Sequence, residues 1–139
     1  MKGVALLLRM AQYELEERRS DLGSINQAQI QTETAIGDLD AKAIHEANIA
    51  LADPAAIATF GAWSVLAAKG RAQLRNRFEE LDVSAHAARD NLRESAAQLR
   101  RLEIVLETER TKARRVAVQR ADARADEREL ARRHGNKPD

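Results

Sequence analysis

The chain has 139 residues, of which 32% are charged and only four are aromatic (two Phe, one Trp and one Tyr). It contains no cysteine, which excludes disulfide bonds and thiol chemistry, and its formal net charge is only +1. This composition, with two prolines and abundant charge, is typical of long helices rather than of a packed globule.

The first predicted element is a helix over about residues 3–51. One position in it recurs at alternating steps of four and three residues, and ten of these fourteen positions are apolar. An apolar repeat of about 3.5 residues is typical of a coiled-coil helix. We call these positions the first seam: Val4, Leu8, Ala11, Leu15, Arg18, Leu22, Ile25, Gln29, Thr32, Ile36, Leu39, Ala43, Glu46 and Ala50.

A break follows at about residues 52–54, in the sequence Ala52-Asp53-Pro54. Proline does not continue a helix, but it is well suited to the first position of a new one, behind an Asp cap. We therefore predict that Asp53 caps a second helix over about residues 54–133. Gly135 and Pro138 mark its end.

The second helix carries a longer seam in which thirteen of seventeen positions are apolar. At 1.5 Å per residue, the stretch from Leu74 to Leu130 would be about 85 Å long, which predicts a rod. The second seam consists of Leu74, Phe78, Leu81, Ala85, Ala88, Leu92, Ser95, Leu99, Leu102, Leu106, Glu109, Ala113, Val116, Arg120, Ala123, Glu127 and Leu130.

Two long amphipathic helices with a short connection predict an all-α fold, with the helices in an antiparallel coiled-coil hairpin. With the turn near residue 53, the two residue numbers of each facing pair should add to about 106. The second helix is longer and overhangs the first, and the whole of 1–139 forms a single coiled-coil domain. The predicted pairs are Leu39 with Ala67, Ile25 with Leu81, Leu15 with Leu92, and Val4 with Leu102.

The predicted overhang begins where the second seam becomes polar. Glu109, Arg120 and Glu127 occupy core positions beyond the residues that the first helix can reach. Helix length and seam polarity therefore indicate the same unpaired segment of about 30 residues, which suits insertion into a partner.

Nothing in the sequence indicates catalysis. His45, His86 and His134 are scattered, without the spacing of a metal site or of a nucleophile with its base, and no glycine loop of the phosphate-binding kind is present. We expect no enzyme activity, no metal, no cofactor and no small-molecule ligand.

Two apolar clusters leave alternatives open. Phe60 and Trp63, one turn apart, either pack the closed end of the hairpin against Ala43, Ile44 and Glu46, or form an aromatic contact for a partner. Together with the seam residue Leu8, Leu6 and Leu7 provide more apolar surface than one seam position can bury. They either pack near Leu102 and Leu106 or belong to a partner-binding surface.

The last part of the chain is basic: residues 109–139 carry ten Lys or Arg against six Asp or Glu, whereas residues 1–108 carry 13 against 16. The arginines are expected on all faces of the helix, either for solubility or to match an acidic collar on a partner. Interleaved acids argue against nucleic-acid binding. These arginines are Arg110, Arg114, Arg115, Arg120, Arg124, Arg128, Arg132 and Arg133.

The N-terminal run of apolar residues stops at Arg9, which is too short for a signal peptide, and no stretch approaches the ~20 apolar residues of a membrane span. We therefore expect the protein to remain in the cytoplasm.

The chain resembles the flagellar export protein FliJ family and its YscO-type counterparts in virulence type III secretion. The resemblance spans nearly the whole chain. It rests on a leucine-bearing N-terminal stretch, an aromatic start to the second helix, a segment of leucines and glutamates within the second helix, and an Asp-Glu element followed by alanine near the C-terminus. These are Leu6-Leu7-Leu8-Arg9, Phe60 with Trp63, Leu99-x-x-Leu102-Glu103 running into Glu109-Arg110, and Asp126-Glu127 followed by Leu130-Ala131.

The resemblance implies a central stalk, similar to that of rotary ATPases, whose paired termini enter the ring of the hexameric export ATPase and promote its assembly and activity. It also implies contacts with the membrane protein of the export gate and with escort chaperones of late flagellar subunits. The protein would then act in bacterial flagellum assembly and motility, as a cytoplasmic component peripherally associated with the inner-membrane export apparatus at the flagellar base.

Two groups of residues are assigned to partners on this basis. The gate contact falls on Phe60 and Trp63. The ATPase contact falls on Arg110, Arg114, Arg120, Arg124, Asp126, Glu127 and Leu130.

Two other functions remain open. The chain could be a structural coiled coil that dimerises through its C-terminal seam, although Glu109, Arg120 and Glu127 would weaken such a zipper. It could also be an arginine-rich coiled coil that binds nucleic acid, which would require steeply salt-dependent binding.

Overall fold

The computed structural model describes residues 2–136, and these form two long helices. Helix α1 spans Lys2–Ala52 and helix α2 spans Ile57–Gly135, with a short 3₁₀ helix, Pro54–Ala56, between them. No strand occurs among the described residues. The predicted all-α fold of two long helices is therefore confirmed.

The connection is organised by Asp53. Its extended backbone (φ −135°, ψ 106°) interrupts the helix, and its side chain accepts a hydrogen bond of 3.0 Å from the backbone N–H of Ala55. Pro54 occupies the first helical position, where its missing N–H costs nothing. The predicted cap is confirmed, but the α-helix begins at Ile57 rather than Pro54 because the first turn is a 3₁₀ helix.

By their contacts the residues divide into two compact units: Glu14–Ser95, and Met1–Tyr13 together with Ala96–Asp139. In the Glu14–Ser95 unit, small residues lie at the centre of the seam, and Ala85 is fully buried. Small side chains allow two helices to approach closely. The other buried residues of this unit are Leu15, Thr32, Ala50, Leu81, Ala88 and Ser95.

Direct contacts between the helices of the Glu14–Ser95 unit give their register near the turn. The residue numbers add to 111 for the ion pair of Asp40 with Arg71, and to 109 for Leu39 with Gly70, where a Cβ on the glycine would lie 3.8 Å from the leucine Cδ2. The predicted value was about 106. These two sums exceed the prediction by three to five residues, about one helical turn, and correspond to a connection centred about two residues later. The contact of Lys42 with Trp63 adds to 105 and agrees with the prediction.

The unit of Met1–Tyr13 and Ala96–Asp139 is buried only in part. Ala11 and Leu106 are buried, and Val4, Leu8, Leu99 and Leu102 are half-buried. Along the second seam, burial ends with the half-buried Glu109. From Lys112 to Asn136, the last described residue, every residue except Glu129 is exposed.

Candidate partner-binding surfaces

The predicted aromatic site lies in a shallow groove between the helices of the Glu14–Ser95 unit. The groove has a volume of about 180 Å³, and we call it the aromatic groove. Helix α2 contributes most of its lining because its small residues there leave space beside the two rings. The lining residues are Leu39, Asp40, Ala43, Phe60, Trp63, Ser64, Ala67, Ala68 and Arg71.

The two rings of the aromatic groove stack on each other. The centroids of Phe60 and Trp63 are 6.1 Å apart, and their planes are inclined by 29°, within the range of favourable aromatic pairs. The ammonium group of Lys42 lies 5.9 Å from the Trp63 ring centroid, where a cation–π attraction operates. Both rings are half-buried, so each retains a surface that a partner can contact.

A charged pair closes one side of the aromatic groove. Arg71 donates two hydrogen bonds to Asp40, from Nε to Oδ1 at 2.8 Å and from Nη2 to Oδ2 at 3.3 Å. These hydrogen bonds lower the pKa of Asp40 and raise the pKa of Arg71, because both stabilise the charged form. The side chains remain 45% and 43% exposed, so water screens the pair strongly.

This geometry is compatible with both interpretations of the aromatic pair, packing at the end of the hairpin and contact with a partner. Ala43 lies in the same groove as Phe60 and Trp63, as packing at the end of a hairpin requires, whereas Ile44 is 65% exposed and does not cover the rings. A contact between these rings and the export gate stays a prediction.

The N-terminal leucines are more exposed than local packing would leave them. Leu6 is 58% exposed and Leu7 is 50% exposed, while only Leu8, the seam residue, is half-buried. Met10 and Tyr13 follow Leu6 at helical spacing and are also exposed. About half of the surface of Leu6 and Leu7 therefore remains accessible, and both alternatives for these leucines stay predictions.

The segment from Arg110 to Arg132 bears the residues predicted to contact the ATPase, and we call it the tail. It is a continuous α-helix, so each residue advances by about 100° around the axis. Six of the eight arginines then fall within an arc of about 120°, and every other residue in that arc is alanine. This Arg/Ala face consists of Arg110, Ala113, Arg114, Ala117, Arg120, Ala121, Arg124, Arg128, Ala131 and Arg132.

This arrangement corrects the expectation that the arginines cover all faces of the helix. Only Arg115 and Arg133 lie outside the arc. The acidic residues Asp122, Asp126 and Glu129 project roughly opposite to it. The tail therefore has a basic Arg/Ala face and an opposite side of mixed charge, where these three carboxylates lie beside Lys112 and Arg115.

The residues predicted for the ATPase contact consequently lie on different sides of the tail helix. Arg110, Arg114, Arg120 and Arg124 share the Arg/Ala face. Asp126 lies on the opposite side, and Glu127 and Leu130 lie along the continuation of the seam. One flat partner surface cannot contact all seven.

Intrahelical ion pairs occupy only the margins of the Arg/Ala face. Arg114 lies 3.2 Å from Glu107, and Arg132 lies 3.0 Å from Glu129. Arg110, Arg124 and Arg128 near its centre, and Arg120 at the other margin, form no ion pair with any residue that the structure describes. Their charges are available to a partner.

The three histidines are exposed and do not assemble a site. His86 donates a hydrogen bond of 2.8 Å from Nδ1 to the backbone oxygen of Asp82, one turn earlier, when that nitrogen carries the proton. Within residues 2–136, no group of three or more His, Cys, Asp or Glu side chains is placed to hold a metal ion. Neither helix, over the same residues, is long and apolar enough to cross a membrane.

Sequence reasoning missed several residues of both surfaces. Lys42, Asp40 and Arg71 in the aromatic groove depend on the register between the helices, which is not readable from either helix alone. Arg128 and Arg132 were detectable, because they continue the four-residue spacing that begins at Arg120 and Arg124.

Comparison with known proteins identifies no relative. No family model matches the chain, and no curated protein or solved structure matches it.

Proposed function

We propose that this chain is a stalk of the FliJ type, which engages the hexameric export ATPase of a type III secretion system through its C-terminal tail. In this proposal the two helices form an antiparallel coiled-coil hairpin, and the second helix overhangs the first. The chain is an accessory of the ATPase and carries no catalytic residue of its own.

The exposure of the tail is the observation that carries this proposal. The second seam is buried or half-buried as far as Glu109, and from Lys112 to Asn136 only Glu129 is not exposed. A helix of about 25 residues without tertiary packing is stabilised only by its own propensity and by intrahelical ion pairs such as that of Arg132 with Glu129. A ring that encloses such a helix would supply the missing contacts.

The hairpin is supported by the contacts near the turn. Asp40 with Arg71, Leu39 with Gly70, and Lys42 with Trp63 join residues on either side of Pro54–Ala56, and their numbers add to 111, 109 and 105. Antiparallel neighbours give sums that stay within such a narrow range, because long side chains reach across about one helical turn. Every residue of the first seam is also buried or half-buried, as a continuous coiled-coil core requires.

The second partner of the proposed stalk is the membrane protein of the export gate, which would contact the aromatic groove. Half-buried aromatic rings beside a charged pair are typical of residues that contribute strongly to protein interfaces. Escort chaperones of late flagellar subunits are a third proposed partner, for which no surface is assigned.

Co-elution with the cognate export ATPase on size exclusion tests the proposal. We expect the full-length chain to elute with the ATPase hexamer and a chain ending at Glu109 to elute alone. If both chains co-eluted equally with the ATPase, the contact would have to lie outside the tail. Failure of the full-length chain to co-elute at micromolar concentrations would contradict the proposal.

A further inference from the structure

The two sides of the tail differ in charge, and this difference restricts what can bind there. The Arg/Ala face presents six guanidinium groups and no carboxylate, while Asp122, Asp126 and Glu129 lie on the other side. Successive arginines at Arg120, Arg124 and Arg128 are separated by about 6 Å along the axis. A partner that binds this face must therefore carry negative charges in a row parallel to the helix axis.

Alanine between the arginines limits the kind of anionic partner. Helices that lie on a lipid surface insert large apolar side chains, and this face has none. Alanine instead lets another protein surface approach the backbone closely, so that the arginine side chains meet its carboxylates at the flanks.

The acidic residues of the tail disfavour a nucleic acid. Glu127 lies at the edge of the Arg/Ala face, seven residues after Arg120, and Asp122 and Asp126 lie on the opposite side beside Arg115. A duplex presents phosphates to a wide surface and would be repelled at that edge. A protein groove can place its own carboxylates only where the arginines are.

We infer that the tail docks with its Arg/Ala face against an acidic protein surface, whose carboxylates meet Arg110, Arg120, Arg124 and Arg128. This inference rests on the proposed function, in which that surface belongs to the export ATPase. It adds that the contact is one-sided: Arg115, on the other side of the tail, makes no contribution.

A matched pair of charge reversals tests the orientation. Arg124 and Arg115 are both exposed, and neither forms an ion pair with a described residue. Arg124→Glu and Arg115→Glu therefore change the net charge equally in the same helix. We expect Arg124→Glu to weaken binding to the ATPase hexamer by about tenfold or more, and Arg115→Glu to weaken it by less than about threefold.

The measurement is the dissociation constant of the labelled full-length chain with the ATPase hexamer, by fluorescence anisotropy at two salt concentrations. Circular dichroism of each variant shows whether the helix is retained. Equal weakening by both reversals, with the wild type bound, would overturn the one-sided contact and leave the proposed function standing.

Two further outcomes would overturn the inference. If the wild-type chain does not bind the ATPase, the inference falls together with the proposed function. If the chain instead binds a DNA duplex in a parallel titration, and Arg124→Glu but not Arg115→Glu abolishes that binding, the Arg/Ala face is a nucleic-acid surface.

Discussion

At the scale of single residues, the structure combines a tightly packed alanine with a loosely held ion pair. Ala85 has no exposed surface, so nothing larger fits there without displacing a neighbour. Asp40 and Arg71 are by contrast nearly half exposed, and their hydrogen bonds orient them more than they stabilise the fold. Substitutions at the two places should therefore have different consequences.

Replacing Ala85 by leucine should destabilise the protein by about 1–3 kcal/mol, because the added side chain overfills the buried seam. Ala87 lies two residues further along the same helix and is exposed, so Ala87→Leu is the matched control and should leave stability nearly unchanged. Urea denaturation followed by circular dichroism measures both. Equal stability of the two variants would show that Ala85 is not in the core.

The Asp40–Arg71 pair should make a small contribution to stability that depends on pH. The folded-state pKa of Asp40 is lowered by the hydrogen bonds from Arg71, so the contribution is present above the ordinary aspartate value of about 3.8. It is lost as the pH falls through the lower, folded-state pKa. Asp40→Asn should thus lower the melting temperature at pH 7, and the difference from wild type should disappear near pH 2.

Asp38 provides the control for this pH dependence, since it is exposed and forms no ion pair with any residue between 2 and 136. Melting curves of Asp38→Asn should follow the wild type at both pH values. A difference for Asp40→Asn that persisted unchanged at low pH would mean that the carboxylate charge is not responsible.

At the scale of the helices, the alternating apolar pattern predicted burial well but predicted register less well. Every residue of the first seam is buried or half-buried, because periodicity alone determines which face of a helix is apolar. The contacts of Asp40 with Arg71 and of Leu39 with Gly70 lie close to one turn away from the predicted pairing, because register also depends on the geometry of the connection. Leu39 and its predicted partner Ala67 nevertheless line the same groove. The 3₁₀ turn at Pro54–Ala56 was not visible in the pattern.

The Arg/Ala face shows a second limit of prediction from the sequence pattern. Its six arginines were all identified, but only four were assigned to the ATPase contact, and their arrangement around the helix was misjudged. Arg120, Arg124 and Arg128 differ by four residues each, which suffices to align them once the helix is known to be continuous.

Truncation tests the boundary between the packed helices and the tail. A chain ending at Glu109 should keep the melting temperature of the full-length protein, and should lose only the helical signal of the removed residues, because all of those that the structure describes are exposed except Thr111 and Glu129. A chain ending at Leu102 also lacks the buried Leu106 and should melt at a lower temperature. Equal melting temperatures of the two truncated chains would contradict this boundary.

At the scale of the whole molecule, the proposed stalk and the alternative of a dimeric coiled coil differ in mass. The tail seam contains Arg120 and Glu127, and a parallel dimer would bring like charges together at each position. We therefore expect light scattering to give the mass of one 15.5 kDa chain at micromolar concentration. A stable dimer of about 31 kDa, reduced to a monomer by removal of the tail, would favour the structural coiled coil.

The most direct test of the stalk function is the rate of ATP hydrolysis by the cognate export ATPase, measured alone, with the full-length chain and with the chain ending at Glu109. We predict that the full-length chain raises the rate and that the truncated chain does not, because the proposal assigns the ATPase contact to the tail. An unchanged rate at saturating full-length chain, or equal stimulation by the truncated chain, would contradict the account.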